Sequence, residues 1–215
     1  MDRRIALGLM AAGGLSGMVG GMRPVWAQTA AGETADLAPE LLQDFTMGDP
    51  NAPIKVTEYA SFTCPHCADF HTDVFKELKA NYIDTGKVFF TYREVYFDGI
   101  GLWAAMLARC AGPERYFGFV DTYYSARDSW LSDRDPAVIA DNLRRIGRVS
   151  GMSNDSIEAC LQNKPLAEAL VAAYQKNSAA DGIEGTPSFI IDGERHSNMA
   201  YKAFATLLDA KLAAK

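Results

Sequence analysis

The residues of this chain with the clearest chemistry are two cysteines in the sequence Cys64-Pro65-His66-Cys67. A strand-like run at 55–60 precedes them and a helical pattern follows them. Cysteines three apart at the start of a helix are neighbours on one face, and this spacing suits a disulfide. The first thiol also meets the positive end of the helix, which favours its thiolate. The pair is therefore predicted to open and close as a two-electron thiol–disulfide switch.

Cys64 is the predicted attacking thiol, and Cys67, further into the helix, is the predicted buried resolving thiol. Only the thiolate reacts, so the pKa of Cys64 decides the chemistry. A helix dipole contributes about 0.3–2 kcal/mol, which is too little to lower a pKa by several units at about 1.4 kcal/mol each. We therefore expect the backbone N–H groups of the first turn and His66 to add hydrogen bonds to the thiolate. Pro65 and His66, between the cysteines, are the predicted tuning residues.

An alternative for the same cysteines is a metal site, in which Cys64, Cys67 and His71 would supply three ligands. A structural zinc site needs a fourth ligand, usually from a second ligand pair. The only other histidine outside the motif is His196, in a predicted hairpin. We therefore expect neither a metal nor another cofactor, with His71 on a helix surface and His196 in a turn.

The predicted elements follow the order β-α-β, then a helical block, then β-α. They are a strand ending near Ala60, a helix from Cys64 to about Tyr82 closed by Gly86, a strand over 88–95, helices within 99–180, a strand and turn over 188–193, and a helix over 201–212. One helix start in the block is marked by Asp135 as cap and Pro136 at the first position. This order predicts an α/β core, 45–98 plus 181–215, interrupted by an all-helical insertion over 99–180.

The N-terminal residues 1–27 resemble a cleaved export signal. Arg3 and Arg4 precede a loosely apolar run over 5–22, and Val25-Trp26-Ala27 suits a signal peptidase, which predicts cleavage before Gln28. A membrane anchor is the alternative, but six glycines make the run a poor spanning helix. The paired arginines leave both the general secretory (Sec) and the twin-arginine (Tat) route open. Residues 28–44 lack apolar periodicity and are predicted to form a mobile leader.

The charge of the chain argues against nucleic acid and anionic membrane surfaces as partners. The net charge is −6, and removal of 1–27 makes it −8 without any basic patch. All four cysteines lie after the predicted cleavage point, and an exported chain with an even cysteine count is expected to hold disulfides. A Cys110–Cys160 bond would close a loop of about 50 residues and stabilise by at most ~4 kcal/mol. The alternative is two buried free thiols.

Several of these features together resemble the DsbA-like disulfide oxidoreductases of bacterial envelopes. They are the turn at 48–53, Glu58 in the first predicted strand, the motif at 64–67, and Gly185-Thr186-Pro187 near the other end. The resemblance begins at about residue 45 and implies a thioredoxin fold with an inserted helical domain. The Pro-His dipeptide between the cysteines resembles the oxidase branch of the family.

The resemblance also implies roles for three further residues. Glu58 would lie beneath the resolving cysteine, where a buried carboxylate can relay a proton; its alternative is an ordinary strand-edge carboxylate. Thr186 and Pro187 would form the cis-proline loop, which faces the active disulfide and pairs with an extended substrate segment. The alternative there is an ordinary trans proline in a turn.

The function that follows is an oxidase that donates the Cys64–Cys67 disulfide to reduced, unfolded polypeptides in the periplasm. The resemblance implies reoxidation by a DsbB-like membrane partner linked to quinone. A reductase or isomerase on the same fold is the first alternative, although such relatives usually carry an N-terminal dimerisation domain, for which the leader is too short. A non-catalytic holdase is the second alternative, and it would not need the thiols.

Overall fold

A five-stranded mixed sheet forms the centre of the computed structural model, which describes residues 38–215. The predicted signal peptide and the first part of the predicted leader lie outside the described residues. The sheet order is β1-β3-β2-β4-β5, with β2 parallel to β3 and the other neighbours antiparallel. The strands are β1 (Phe45–Met47), β2 (Ile54–Ala60), β3 (Val88–Glu94), β4 (Ser188–Ile191) and β5 (Glu194–Ser197).

Eight helices accompany these strands in residues 38–215, besides a 3-10 turn at Pro39–Leu41. The first, α1, spans 65–83 and alternates α-helical segments (Pro65–Phe70, Lys76–Leu78) with π-helical ones (His71–Phe75, Lys79–Ile83). The others are α2 (Gly99–Cys110), α3 (Pro113–Ser125), α4 (Arg127–Trp130), α5 (Pro136–Val149), α6 (Asn154–Leu161), α7 (Lys164–Ala180) and α8 (Tyr201–Ala213). The predicted start of α5 is confirmed, because the Asp135 carboxylate accepts a hydrogen bond from the Ala137 N–H at 2.9 Å.

The central strand β2 carries Glu58 into the interior. Ile54, Val56, Glu58 and Ala60 alternate along the strand and each has no exposed surface. Glu58 lies opposite Tyr92 of β3 and Phe189 of β4, so neighbouring strands cover it on both sides. The strand ends immediately before the turn that leads to Cys64, so the sheet fixes the position of the cysteine motif.

The helices α2 to α7 follow one another without a strand between them, as the sequence predicts for 99–180. Cys110 at the end of α2 and Cys160 in α6 are joined by a disulfide, with their Cα atoms 6.2 Å apart. The fold class, a thioredoxin-like α/β core interrupted by helices, is confirmed. The residue numbers at which one domain gives way to the other stay a prediction.

A buried ion pair connects the helical block to the sheet. Arg109 of α2 and Glu94 of β3 are each 5% exposed, and the guanidinium donates to both carboxylate oxygens. Arg109 also donates to the backbone carbonyls of Leu41 and Gln43, at 2.8 and 2.9 Å. The described end of the predicted mobile leader is therefore held against the fold, because its carbonyl groups satisfy donors of a buried arginine.

The packing of α5 against α6 leaves no room for a side chain at Gly147. A Cβ atom there would lie 2.9 Å from Cδ1 and 3.1 Å from Cγ1 of Ile157, which is 1% exposed. We expect Gly147→Ala to lower the free energy of unfolding by about 1–3 kcal/mol, as overpacked sites do. Gly118→Ala in α3, where an added Cβ would meet no atom within 4 Å apart from the backbone of its own helix, should instead stabilise by about 0.5–1 kcal/mol. Urea unfolding of both variants tests this, and equal effects would contradict it.

Candidate active site

Cys64 and Cys67 lie at the start of α1, as predicted. Cys64 is the residue that caps the helix, with extended backbone angles (φ −76°, ψ 122°), and Pro65 occupies the first helical position. Both cysteines are free thiols; Cys64 is partly exposed, whereas Cys67 has no exposed surface. An incoming sulfur therefore reaches Cys64 and not Cys67.

The surroundings of Cys64 stabilise its thiolate and lower its pKa from 9.0 to about 5. The largest contribution is a hydrogen bond from the Cys67 thiol, followed by the Thr186 hydroxyl and the backbone N–H groups of Cys67 and His66, with partial burial acting against them. The His66 ring takes no part that the structure shows, because it is 74% exposed and its Nδ1 lies 3.7 Å from a carboxylate oxygen of Asp69. The predicted contribution of His66 thus comes through its backbone.

Cys67 is shifted in the opposite direction. Burial is the main cause that raises its pKa well above the ordinary value, and the hydrogen bond to Cys64 and the nearby Glu58 carboxylate add to it. The two thiols of one motif therefore have opposite tendencies at neutral pH. Cys64 is ionised and accessible, while Cys67 is protonated and enclosed.

The loop before β4 meets the cysteines from the other end of the chain. The Thr186–Pro187 peptide bond is cis, and the Cys64 thiol lies 3.6 Å from the Thr186 carbonyl oxygen. The Thr186 hydroxyl is buried and has no hydrogen-bond partner among residues 38–215. It is thus available to a thiolate at Cys64.

Glu58 lies at the base of the site. It has no exposed surface, and its Oε2 lies 3.2 Å from Nε2 of His71. Its Oε1 is buried without a partner in the part of the chain that the structure describes. One carboxylate oxygen is therefore free to accept a proton from a neighbouring group.

Comparison with known proteins places this site in a family. A family model described as Thioredoxin matches residues 40–210. The crystal structure of Wolbachia pipientis alpha-DsbA1 superposes with a TM-score of 0.74 at 32% identity, covering 80% of this chain and 92% of that one. The chain is a DsbA-like member of the thioredoxin family.

Two further relatives bear names from disulfide chemistry. A Rickettsia bellii protein, provisionally named a protein-disulfide oxidoreductase, is 33% identical over 168 residues, which are 77% of this chain and 63% of that protein. The chain thus spans less than two thirds of that relative. The crystal structure of a protein-disulfide isomerase from Novosphingobium aromaticivorans is 25% identical, with a TM-score of 0.70, and the match covers 78% of this chain and 97% of that one.

The placement of His71 corrects the sequence prediction. His71 is 7% exposed rather than on the helix surface. It lies four residues after Cys67 on the same face of α1, and its ring stacks on Tyr124 at 4.3 Å and packs against Phe75 at 4.5 Å. The spacing from Cys67 was a usable signal, but a search for apolar periodicity passes over a histidine.

Three residues that the sequence analysis missed hold the turn before Cys64 in this DsbA-like site. The Thr63 hydroxyl donates to a carboxylate oxygen of Asp98 at 2.8 Å, and Arg127 donates to the Thr63 carbonyl at 2.8 Å. Asp98 also caps α2 by accepting from the Gly101 N–H at 2.7 Å. Since these partners lie 35 and 64 residues away, only the cap at Asp98 was visible as a sequence signal.

The metal alternative finds no geometric support in the described residues, where no three His, Cys, Asp or Glu side chains are grouped to hold an ion. His196, predicted in a turn, instead lies in strand β5 of the hairpin, with Nε2 3.7 Å from a carboxylate oxygen of Glu194. In residues 38–215 there is likewise no helix of the length and apolar character that crossing a membrane requires.

The hydroxyl of Thr186 provides a direct test of how the thiolate is tuned. Thr186→Val keeps the side-chain shape and the backbone carbonyl but removes a donor to Cys64. A hydrogen bond to a charged group is worth about 1.5–3 kcal/mol, so the pKa of Cys64 should rise by about 1–2 units. Thiolate absorbance followed against pH measures this. Thr46→Val on the edge strand β1 is the matched control. An unchanged midpoint of the Cys64 titration in Thr186→Val would show that the hydroxyl does not stabilise the thiolate.

Proposed function

We propose that this chain catalyses thiol–disulfide exchange and works as an oxidase of exported polypeptides. The observation that carries the proposal is the opposite shift of the two thiols, with the pKa of Cys64 lowered to about 5 and that of Cys67 raised. A stabilised thiolate stabilises the reduced protein and so makes its disulfide more oxidising. The provisional name of the Rickettsia bellii relative supports the same chemistry.

In the oxidising direction, a substrate thiolate attacks the Cys64 sulfur of the Cys64–Cys67 disulfide. A bond forms between the substrate sulfur and Cys64, the bond to Cys67 breaks, and Cys67 leaves with the electron pair and takes up a proton. A second substrate thiolate then attacks the substrate sulfur and expels Cys64 as a thiolate. The substrate loses two electrons to the cysteine pair and gains a disulfide. The low pKa of Cys64 makes it a good leaving group in the second step.

The cis-proline loop is the proposed place for the substrate backbone. A groove of about 370 Å³ runs beside Thr186 and Pro187 and reaches Ser197 of the edge strand β5. An extended segment in this groove would bring a substrate sulfur close to Cys64 and offer its backbone to the loop, in the manner of strand addition. Glu58 is the proposed proton relay for Cys67, because it is buried and keeps one carboxylate oxygen without a partner.

The proposed compartment is the periplasm, reached through cleavage of residues 1–27 by the Sec or Tat route. The Cys110–Cys160 bond supports an oxidising compartment. Reduced, unfolded polypeptides are the proposed substrates, and a DsbB-like membrane protein linked to quinone is the proposed reoxidant.

A redox titration against glutathione, followed by oxidation of a reduced and unfolded substrate, tests the proposal. We expect the Cys64–Cys67 disulfide to be more oxidising than glutathione and to pass stoichiometrically to the substrate. A potential well below that of glutathione would instead indicate a reductase. The double variant Cys64→Ser/Cys67→Ser separates a holdase from both enzymes. Full suppression of aggregation by that variant, with no oxidation by the unmodified protein, would overturn the proposal.

A further inference from the structure

A proton must enter and leave the base of the site, yet the two groups that exchange it are enclosed. Cys67 and Glu58 each have no exposed surface. Cys67 has to lose a proton when it attacks a mixed disulfide and regain one when the disulfide opens. Glu58 is able to accept that proton, but with no contact to water it needs a partner that passes the proton on.

His71 is the only described side chain within hydrogen-bond distance of the Glu58 carboxylate, at 3.2 Å between Nε2 and Oε2. Its side chain keeps 6% of its surface exposed, against 0% for Glu58. Its backbone N–H is bonded to the Cys67 carbonyl, so the ring follows Cys67 by one helical turn. The His71 ring therefore lies between Glu58 and the solvent.

We propose that His71 is a positioning residue that acts through Glu58 and carries the proton between that carboxylate and solvent. The inference rests on the proposed thiol–disulfide exchange. Imidazole suits the task because its two nitrogens allow it to accept a proton at one while it releases another from the other.

When Cys67 closes the disulfide, its proton leaves the site through Glu58 and His71. The Cys67 sulfur attacks Cys64, the Cys64–Cys67 bond forms, and the leaving thiolate takes the electron pair of the bond that breaks. The Cys67 proton passes to the Glu58 carboxylate, the resulting carboxyl group gives its proton to the unprotonated Nε2 of His71, and Nδ1 releases its own proton to water. Glu58 ends as a carboxylate and His71 as a neutral imidazole. Opening of the disulfide by a substrate thiolate runs the same transfers in reverse.

The other titratable groups that face His71 favour their protonated forms at neutral pH. They are Cys67 on its own helix, Tyr92 from β3 with ring centroids 6.0 Å apart, and Tyr124 from α3. The two tyrosine hydroxyls are hydrogen-bonded to each other at 2.6 Å, and burial raises the pKa of both well above the ordinary value. The Glu58–His71 pair is therefore the proton-transfer route among these groups.

The test follows reduced protein after mixing with oxidised glutathione, with quenched samples analysed by mass. This separates formation of the Cys64–glutathione adduct from its resolution by Cys67. In His71→Gln, which keeps a hydrogen-bonding amide beside Glu58 but cannot pass a proton between two nitrogens, we expect unchanged adduct formation. Resolution should be slower by about tenfold or more at neutral pH, since positioned acid–base groups contribute about 10²–10⁴-fold, and the deficit should shrink at high pH, where hydroxide removes the Cys67 proton.

Three further variants serve as controls for His71→Gln. Glu58→Gln should show the same defect, and the double variant Glu58→Gln/His71→Gln should be no slower than Glu58→Gln alone, because the two groups act in series. His196→Gln, in the edge hairpin, should behave as the unmodified protein. Resolution at the normal rate in His71→Gln, or independent effects that multiply in the double variant, would overturn the proton-carrier role.

A spectroscopic measurement on the unmodified protein covers the case in which His71→Gln does not fold. The ring nitrogen resonances of His71 should differ between the oxidised and reduced protein, those of His196 should not, and the difference should disappear in Glu58→Gln. Identical His71 resonances in both redox states would also overturn the inference. If instead the unmodified protein forms no glutathione adduct, the proposed exchange activity itself fails, which is a separate result.

Discussion

Replacing Cys67 by Ser should stop the exchange cycle and leave glutathione bound to Cys64. The Cys64 thiolate still attacks oxidised glutathione, but no neighbouring thiol remains to expel the bound half. Intramolecular attack by a held thiol has a very high effective concentration, so its loss should lengthen the life of the adduct by about a hundredfold or more. Intact mass measurement after mixing shows the adduct as a stable species.

The reverse variant, Cys64→Ser, is the matched control for this result. Cys67 is buried and its pKa is raised, so it should form little adduct under the same conditions. Equal rates of adduct formation in the two variants would mean that the thiols are not divided into an attacking and a resolving member.

Lowering the pH from 9 to 5 should remove the extra stability of the reduced protein relative to the oxidised one. Cys64 ionises near 9.0 in the unfolded chain and at about 5 in the folded one. Between these values unfolding takes up a proton, so the thiolate stabilises the folded reduced chain fully above pH 9 and loses this effect as the pH falls through 5. The raised pKa of Cys67 adds almost no slope near neutral pH, where its thiol is protonated in both states; as the pH approaches 9 the thiol ionises in the unfolded chain alone, which flattens the rise.

Parallel denaturation of the reduced and oxidised forms measures the effect, with the Cys110–Cys160 bond kept intact in both. Carboxylates and histidines that titrate alike in the two forms cancel in the difference. The unfolding free energy of the reduced form minus that of the oxidised form should therefore rise with pH from 5 to 9. A difference that stays flat would show that the thiolate of Cys64 is not stabilised, and the oxidase proposal would lose its main support.

The sequence was sufficient where the signal was local. The motif at 64–67, the cap at Asp135 and the apolar positions of α1 depend on residues within one or two turns, and the six residues of that helix that follow its apolar period are all buried. They are Cys67, Phe70, Val74, Phe75, Leu78 and Tyr82. Glu58 and the Thr186-Pro187 loop were placed by resemblance, because no local sequence pattern indicates that they lie beside the cysteine motif.

The sequence was insufficient where distant residues meet. Nothing near Arg109 indicates that it bonds Glu94 and two carbonyls of the leader, or that Asp98 and Arg127 hold the turn before the cysteines. The edge strand β1 has three residues, too few for a periodic signal. His71 was misplaced for a different reason, since its polarity indicated the surface while its partner, Glu58, lies 13 residues earlier in another element.

The hydrogen bonds from Arg109 to the carbonyls of Leu41 and Gln43 bear on where the stable folded unit begins. A fragment that starts at Phe45 would leave two arginine donors without acceptors beside the buried carboxylate of Glu94. That carboxylate belongs to the strand next to β2, which ends at the cysteine turn, and Arg109 adjoins Cys110. Trimming by proteases should therefore slow before these carbonyls are reached. Fragments that lack them should be less stable to unfolding than fragments that keep them. The segment before the first strand thus helps to keep α2 packed against the sheet that positions the cysteine motif.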